Sequence, residues 1–234
     1  MKKINVNNLL IEVTRRCNMD CNHCLRGEPE KMDVCTYDTR ALLEQCEHIN
    51  SIVFTGGEPS LNSEAIETVL EQCKSLGVSV GSFYIATNGK AITEHFVLTC
   101  LRWYAYCDDN EEMTSVYVSN DGHHQEQGSY NTELLDGLSF FKRKQPEEGQ
   151  YYESFISEGR YEGHFQARPF VASDFELDSG NLEGEVYLNC EGNIIIGCDW
   201  SYESQRKPEN ILCEAGDSIL DAVTERGWNN DDDE

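Results

Sequence analysis

The sequence predicts an α/β fold, a curved or partly closed barrel of parallel strands. Two observations carry this. Over the first 145 residues, short apolar runs alternate with helix-spaced segments, β-α-β-α-β-α-β-α. Each of the four clear strands also ends in chemically unusual residues, and in such sheets sites assemble at the carboxyl ends of the strands.

The elements follow in order. "LLIEVT" (9–14) is an apolar run that ends at a cysteine cluster. "TYDTRALLEQCEHI" (36–49) has helical spacing, with Leu42, Leu43 and Cys46 on one face and Thr36 or Asp38 as cap. "SIVFT" (51–55) reads as a strand stopped by Gly56-Gly57. "NSEAIETVLEQCKSLG" (62–77) predicts a helix capped by Asn62 or Ser63 and stopped by Gly77. "GSFYIAT" (81–87) predicts a strand before the Asn88-Gly89 turn, and "TEHFVLTCLRW" (93–103) a helix. "TSVYVS" (114–119) reads as a strand and "NTELLDGLSFFKRK" (131–144) as a helix. "YYESFIS" (151–157) is a candidate fifth strand, and residues 165–184 show no clean period. "VYLNCEGNIII" (186–196) predicts strand, Glu191-Gly192 turn, strand. No linker or internal repeat is seen, so one domain is expected.

Composition narrows the function. With 234 residues the chain is long enough for a real core. No apolar run approaches the roughly 20 residues of a membrane helix, and "MKKINVNNLL" has no signal-peptide pattern, so a cytoplasmic protein is expected. The 43 acidic and 18 basic residues leave a net charge of −25, which would repel nucleic-acid backbones and anionic membranes. That charge favours a cationic partner, or serves only solubility. The 11 cysteines are an odd number in a chain too long for a disulfide scaffold, which points to metal ligation or catalysis. Cys46, Cys73 and Cys100 fall inside predicted helices and read as small buried apolar residues.

The sharpest signal is "RRCNMDCNHC" (15–24), which brings Cys17, Cys21 and Cys24 together on one loop. C-x3-C-x2-C lets three thiolates converge on one inorganic centre. Structural zinc wants four ligands, usually with a second distant pair, and a [4Fe–4S] cluster also has four corners to fill. Three cysteines leave one position open for a substrate or cofactor.

This loop resembles the signature of the radical S-adenosylmethionine (SAM) superfamily, C-x3-C-x-aromatic-C, with His23 at the aromatic position. "TGGEP" (55–59), "TNG" (87–89) and "VSND" (118–121) are similar to the family's later strand endings, and the likeness covers roughly residues 8 to 125. The resemblance implies a partial (βα)6-type TIM-like barrel with a small C-terminal β-hairpin region. Residues 1–165 would form the core, and residues 166–234 the barrel completion, hairpin and acidic tail.

It also implies a chemistry. Cys17, Cys21 and Cys24 would hold a [4Fe–4S] cluster whose fourth iron is chelated by SAM. Reductive cleavage of SAM would give a 5′-deoxyadenosyl radical that takes hydrogen from a substrate, with a one-electron donor of flavodoxin or ferredoxin type as partner. Gly56, Gly57 and Glu58 would receive the SAM amino group. His23, Asn88, Ser119, Asn120 and Arg160 are the other candidate cofactor contacts. Catalytic candidates are His123, His124 and Cys198. A peptide or protein substrate is expected, because the hairpin with Cys190 and Cys198 loosely resembles the extension of radical SAM peptide maturases. The alternatives are a small-molecule enzyme of deazaguanine-forming size, a glycyl-radical activating enzyme, or a non-catalytic metal-binding adaptor. A single cluster is expected, with Cys190 and Cys198 packed across from each other.

Overall fold

The computed structural model describes residues 2–108, 114–119, 124, 128–143, 155–165, 167–172 and 174–228. The strands are β1 (Ile4–Thr14), β2 (Cys46–Gly56), β3 (Ser79–Thr87), β4 (Ser115–Val118), β5 (Phe141–Arg143), β6 (Glu176–Asp178), β7 (Asn181–Leu188), β8 (Asn193–Ile196) and β9 (Ile211–Glu214). The helices are α1 (Thr36–Leu43), α2 (Ser63–Leu76), α3 (Glu94–Tyr106) and α4 (Ile219–Glu225). The strands form one sheet in the order β5-β4-β3-β2-β1-β7-β8-β9, with β6 paired to β7. β1 to β5 are mutually parallel, and β7 lies parallel to β1 on its other side. Among the described residues the sheet does not close. It is a partial barrel, with β5 and β9 as its edges.

Side chains explain the layers. Successive residues of a strand face opposite sides. Leu9, Ile11 and Val13 of β1 enter the main core with Phe54, Ile66 and Trp103. Leu10 faces the other side, against Tyr187 and Ile195. Trp103 is fully buried, packs 5.1 Å from the Phe54 ring, and donates its indole N–H to the Ile66 carbonyl at 3.1 Å. Asn62 caps α2 by accepting from the Ala65 amide, and Gly77 ends it at φ 69°. Thr93 caps α3 in the same way.

Four expectations are corrected. The helix read over 36–49 stops at Leu43, and Cys46 onward is strand, because Cys46 and Ile49 pair with Ile4 and Val6 of β1. Cys46 is still buried, as are Cys73 and Cys100, and burial pushes the Cys46 and Cys73 thiols up to about 12. The helix read over 131–144 is a run of turns with Gly137 at φ 89°, followed by β5, where Phe141 pairs with Val116. The fifth strand is therefore β5 and not residues 151–157. Of that stretch, 151–154 lie outside the described residues, and Ile156 makes one isolated bridge to Arg168. The stretch 165–184, read as irregular, contains the β6–β7 hairpin, which turns on Ser179 and Gly180, both at positive φ. The hairpin expected over 186–196 is present, pairing Val186 with Ile196 and Leu188 with Ile194.

Candidate active site

The carboxyl ends of β1 to β4 meet at one cavity of about 400 Å³. Cys17, Cys21 and Cys24 all line it, none of them in a disulfide and all three partly exposed. The loop that carries them is built from turns, with the Cys24 amide donating to the Cys21 carbonyl at 3.2 Å and the Gly27 amide to the Cys24 carbonyl at 3.2 Å. Burial pushes the Cys17 thiol above its ordinary value, and the nearby Glu58 and Cys24 add to the rise.

Gly56 and Gly57 line the same cavity, and packing against β1 demands both glycines. A Cβ on Gly56, at φ 139°, would sit 2.0 Å from the Thr14 carbonyl oxygen. On Gly57 it would sit 2.4 Å from the Arg16 carbonyl oxygen. The next amides continue the ladder, with Gly57 donating to the Thr14 carbonyl at 2.8 Å and Glu58 to the Arg16 carbonyl at 2.9 Å. Glycine lets β2 run this close to the start of the cysteine loop.

Glu58 is buried and locks two strand ends together. Its Oε1 accepts from the Ser60 amide at 3.0 Å and from the Thr87 hydroxyl at 2.6 Å. Its Oε2 accepts from the Asn88 amide at 2.7 Å. A carboxylate has about four acceptor positions, so one remains for a ligand. Asn88 donates through Nδ2 to Asn18 Oδ1 at 2.8 Å, tying β3 to the cysteine loop, and accepts from the Lys90 amide at 2.9 Å. Asn88 is thus both a turn residue and part of the cavity wall.

The other candidates divide. Ser119 lines the cavity and donates its amide to the Thr87 carbonyl. His23 and His124 line it as well, their ring centroids 5.5 Å apart, and Phe155 lies 5.1 Å from His23. Asn120 and His123 lie outside the described residues. Arg160 departs from expectation, because it does not line this cavity. Its guanidinium donates to Glu28 at 2.7 and 2.8 Å, to the Cys21 carbonyl at 3.1 Å, and pairs with Asp20. These bonds tie it to the cysteine loop, and it lines a smaller cavity with the three cysteines. Cys198 is also off the cavity, in the patch of Leu10, Tyr187 and Ile195. Cys190 packs into the main core on the opposite face, so the two are not a packed pair.

A buried charged network under the loop went unread in the sequence. Glu12 is fully buried and accepts from Arg15 at 2.6 Å, the Tyr187 hydroxyl at 2.7 Å, and both the Cys190 amide and Gln205 at 3.1 Å. Burial pushes its carboxyl up, but Arg15, Arg26 and these hydrogen bonds outweigh that and hold it below the ordinary value. Arg15 also donates to Glu30, Glu191 and Gln205. Arg26 reaches the cavity, donates to the Trp200 carbonyl at 2.5 Å, and lies over Tyr187. The available signal was Glu12 itself, a carboxylate inside an apolar strand and flanked by Arg15.

Among the described residues, no three His, Cys, Asp or Glu side chains stand close enough to hold a single metal ion. A cubane places each thiolate on a different iron, so three spread thiols and one open corner suit a [4Fe–4S] cluster. An open parallel half-barrel with such a loop after β1, and a glycine-rich wall after β2, defines a cluster-and-cofactor domain.

The sequence profile of the Radical SAM superfamily matches residues 11–126. Residues 11–126 are a domain of that superfamily, whose domains use a [4Fe–4S] cluster and SAM. It is 30% identical over 90 residues to an uncharacterized protein of Methanocaldococcus jannaschii, covering 37% of this chain and 32% of that protein. It is 31% identical over 87 residues to the AdoMet-dependent heme synthase of Oleidesulfovibrio alaskensis, covering 35% of this chain and 21% of that protein. The similarity therefore spans a third or less of these relatives. Two structures of anSMEcpe, each with bound AdoMet and a peptide, share the fold. Their TM-scores are 0.54 and 0.57, at 15% and 14% identity, and each match covers 94% of this chain and 80% of the other.

Proposed function

We propose that this chain is a radical SAM enzyme that removes a hydrogen atom from a peptide or protein substrate. One observation carries the reading: three cysteines outside any disulfide share one cavity with Gly57 and Glu58 at the carboxyl ends of adjacent parallel strands. Cys17, Cys21 and Cys24 would hold the cluster, and Glu58 with the Gly56-Gly57 backbone would receive the amino group of SAM. A [4Fe–4S] cluster held there would supply one-electron reduction of SAM, the chemistry that starts hydrogen abstraction.

The chain's own residues position and shield. Glu58 offers its remaining acceptor position to an ammonium group, a charge-assisted contact. His23, Phe155 and Ser119 wall the cavity, where a reactive species needs protection from water. Residues 1–165 serve as the core in this reading, and residues 166–234 complete the half-barrel on the β1 side. A peptide substrate is supported by the bound peptides of anSMEcpe, which shares the fold. A low-potential one-electron donor is required. Among the described residues, no helix is long and apolar enough to cross a membrane.

Anaerobic reconstitution tests the reading. The protein should bind about four irons and, with dithionite, convert SAM to 5′-deoxyadenosine. Alanine at Cys17, Cys21 or Cys24 should abolish both. A colourless protein holding one zinc per chain would overturn it. Candidate peptides should stimulate 5′-deoxyadenosine formation and lose a hydrogen to it; stimulation by small molecules alone would redirect the substrate assignment.

A further inference from the structure

Tyr202 is a buried side chain that the reading above leaves without a role. It is 3% exposed, and its hydroxyl oxygen has no hydrogen-bond partner among the described residues. A buried phenol normally finds a partner, because an unmet donor costs about 1–3 kcal/mol. Its backbone and its ring are each held by one contact. The Tyr202 amide donates to the Arg26 carbonyl at 3.0 Å, and the Arg15 guanidinium sits 4.6 Å from the ring centroid.

Behind the cysteine loop lies a second, very small cavity of about 30 Å³. Its walls include Cys17, Cys21 and Cys24 together with Tyr202 and Arg15. The tyrosine is thus a hydrogen-bonding side chain from the C-terminal region in a wall shared with all three thiols. A phenol is protonated at neutral pH, so its hydroxyl has a hydrogen to donate.

We infer that Tyr202 is a positioning residue whose hydroxyl donates a hydrogen bond to a sulfur of the cluster held by Cys17, Cys21 and Cys24, and so raises its reduction potential. The inference rests on the cluster assignment made above. The physical reason is charge. The reduced cluster carries one more electron, and a donor aimed at its sulfur stabilises that form more than the oxidised one.

The test uses reconstituted full-length protein in an anaerobic redox titration followed by electron paramagnetic resonance. Tyr202→Phe removes only the hydroxyl. At a fixed poise its reduced-to-oxidised ratio should fall about tenfold, a shift of about 59 mV for one electron. Replacing Tyr202 with 3-fluorotyrosine, a stronger donor, should move the ratio the other way. A role in packing alone would not give opposite shifts from these two changes. Unchanged potentials in both, with about four irons retained, overturn the inference and leave the cluster assignment standing; the hydroxyl then bonds water in the small cavity. If Tyr202→Phe fails to take up iron, the fluorotyrosine protein decides, and a potential equal to wild type overturns the inference. Failure of the wild-type protein to bind a [4Fe–4S] cluster sinks the underlying assignment instead.

Discussion

Glu58→Gln separates two roles that one carboxylate plays. The first is structural. Oε1 and Oε2 together accept two backbone amides, Ser60 and Asn88, and the Thr87 hydroxyl. A glutamine has one acceptor oxygen and one NH2 group. If its oxygen keeps Ser60 and Thr87, its NH2 faces the Asn88 amide, which is another donor. If it flips, the NH2 faces the Ser60 amide. Either way one buried backbone N–H loses its partner, which costs about 1–3 kcal/mol. The second role is the contact with the ammonium of SAM. Losing a charge-assisted bond of about 1.5–3 kcal/mol weakens binding about 10- to 150-fold. Anaerobic urea denaturation reads the first effect, and calorimetric titration with SAM reads the second. The cysteines are untouched, so iron content should hold at wild-type level. Unchanged stability would refute the three-acceptor arrangement. Unchanged SAM affinity, with stability lowered, would show that Glu58 only braces β2 against β3.

Gly57→Ala should destabilise the protein by about 1–3 kcal/mol, since its Cβ would meet the Arg16 backbone at 2.4 Å and neither chain can rotate aside. Gly216→Ala, where a Cβ meets nothing within 4 Å, is the neutral control, and equal melting temperatures for the two would refute the close approach. Glu12→Gln removes the charge facing Arg15 and should cost about 3 kcal/mol, the low end for a broken buried pair because Arg15 keeps Glu30 and Glu191. The Glu12 carboxyl is held below its ordinary value, so its stabilisation is present above the unfolded value of about 4.3 and disappears as pH falls through the folded one. The wild type should therefore lose its margin over Glu12→Gln in acid, and a constant margin from pH 7 down to 2 would refute the pairing. Arg160→Ala should change stability by about 1 kcal/mol or less, because Glu28 and Asp20 are exposed, and should leave SAM affinity within about twofold. A loss of tenfold or more would return Arg160 to the cofactor.

What was legible follows from how local each signal is. β2 and β3 announce themselves by apolar runs cut off at Gly56 and Asn88. The apolar run over 9–14 covers only the second half of β1, because Asn5, Asn7 and Asn8 interrupt the first half, where Ile4 and Val6 enter the core. Asn5 and Asn7 pair with Asn181 and Glu183 of β7, partners about 176 positions away that no local window can see. β5 failed for a different reason. Three residues carry no period, and Leu134, Leu135 and Leu138 imitate a helix that Gly137 does not sustain. At the site, the cysteine spacing and the Gly-Gly-Glu-Pro run were visible because each lies within one loop. Position after a presumed strand says nothing about the direction of Arg160, whose guanidinium is taken up by Glu28 and Asp20.

The buried charges beneath the cysteines make sense once the loop's own structure is considered. From Arg15 to Glu30 the chain has turns but neither helix nor strand, so its backbone does not hold three thiols in place. Cross-links from outside do that work. Arg15 at the entry and Glu30 at the exit pair with each other and, through Glu191 and Arg206, with the β7–β8 hairpin and the turn after it. Glu12 anchors the group to β1, and Gln205 bridges Glu12 and Arg15. A hydrophobic core would resist burial of this many charges, and replacing such groups with apolar ones often stabilises a protein. Apolar contacts are non-directional, however, while the Arg15 guanidinium, donating to Glu12, Glu30, Glu191 and Gln205, fixes both distance and angle. The β7–β8 hairpin and residues 200–206 therefore belong to the scaffold of the cysteine loop. Tyr202 stands among them, as it must if its hydroxyl is to reach whatever those thiols hold.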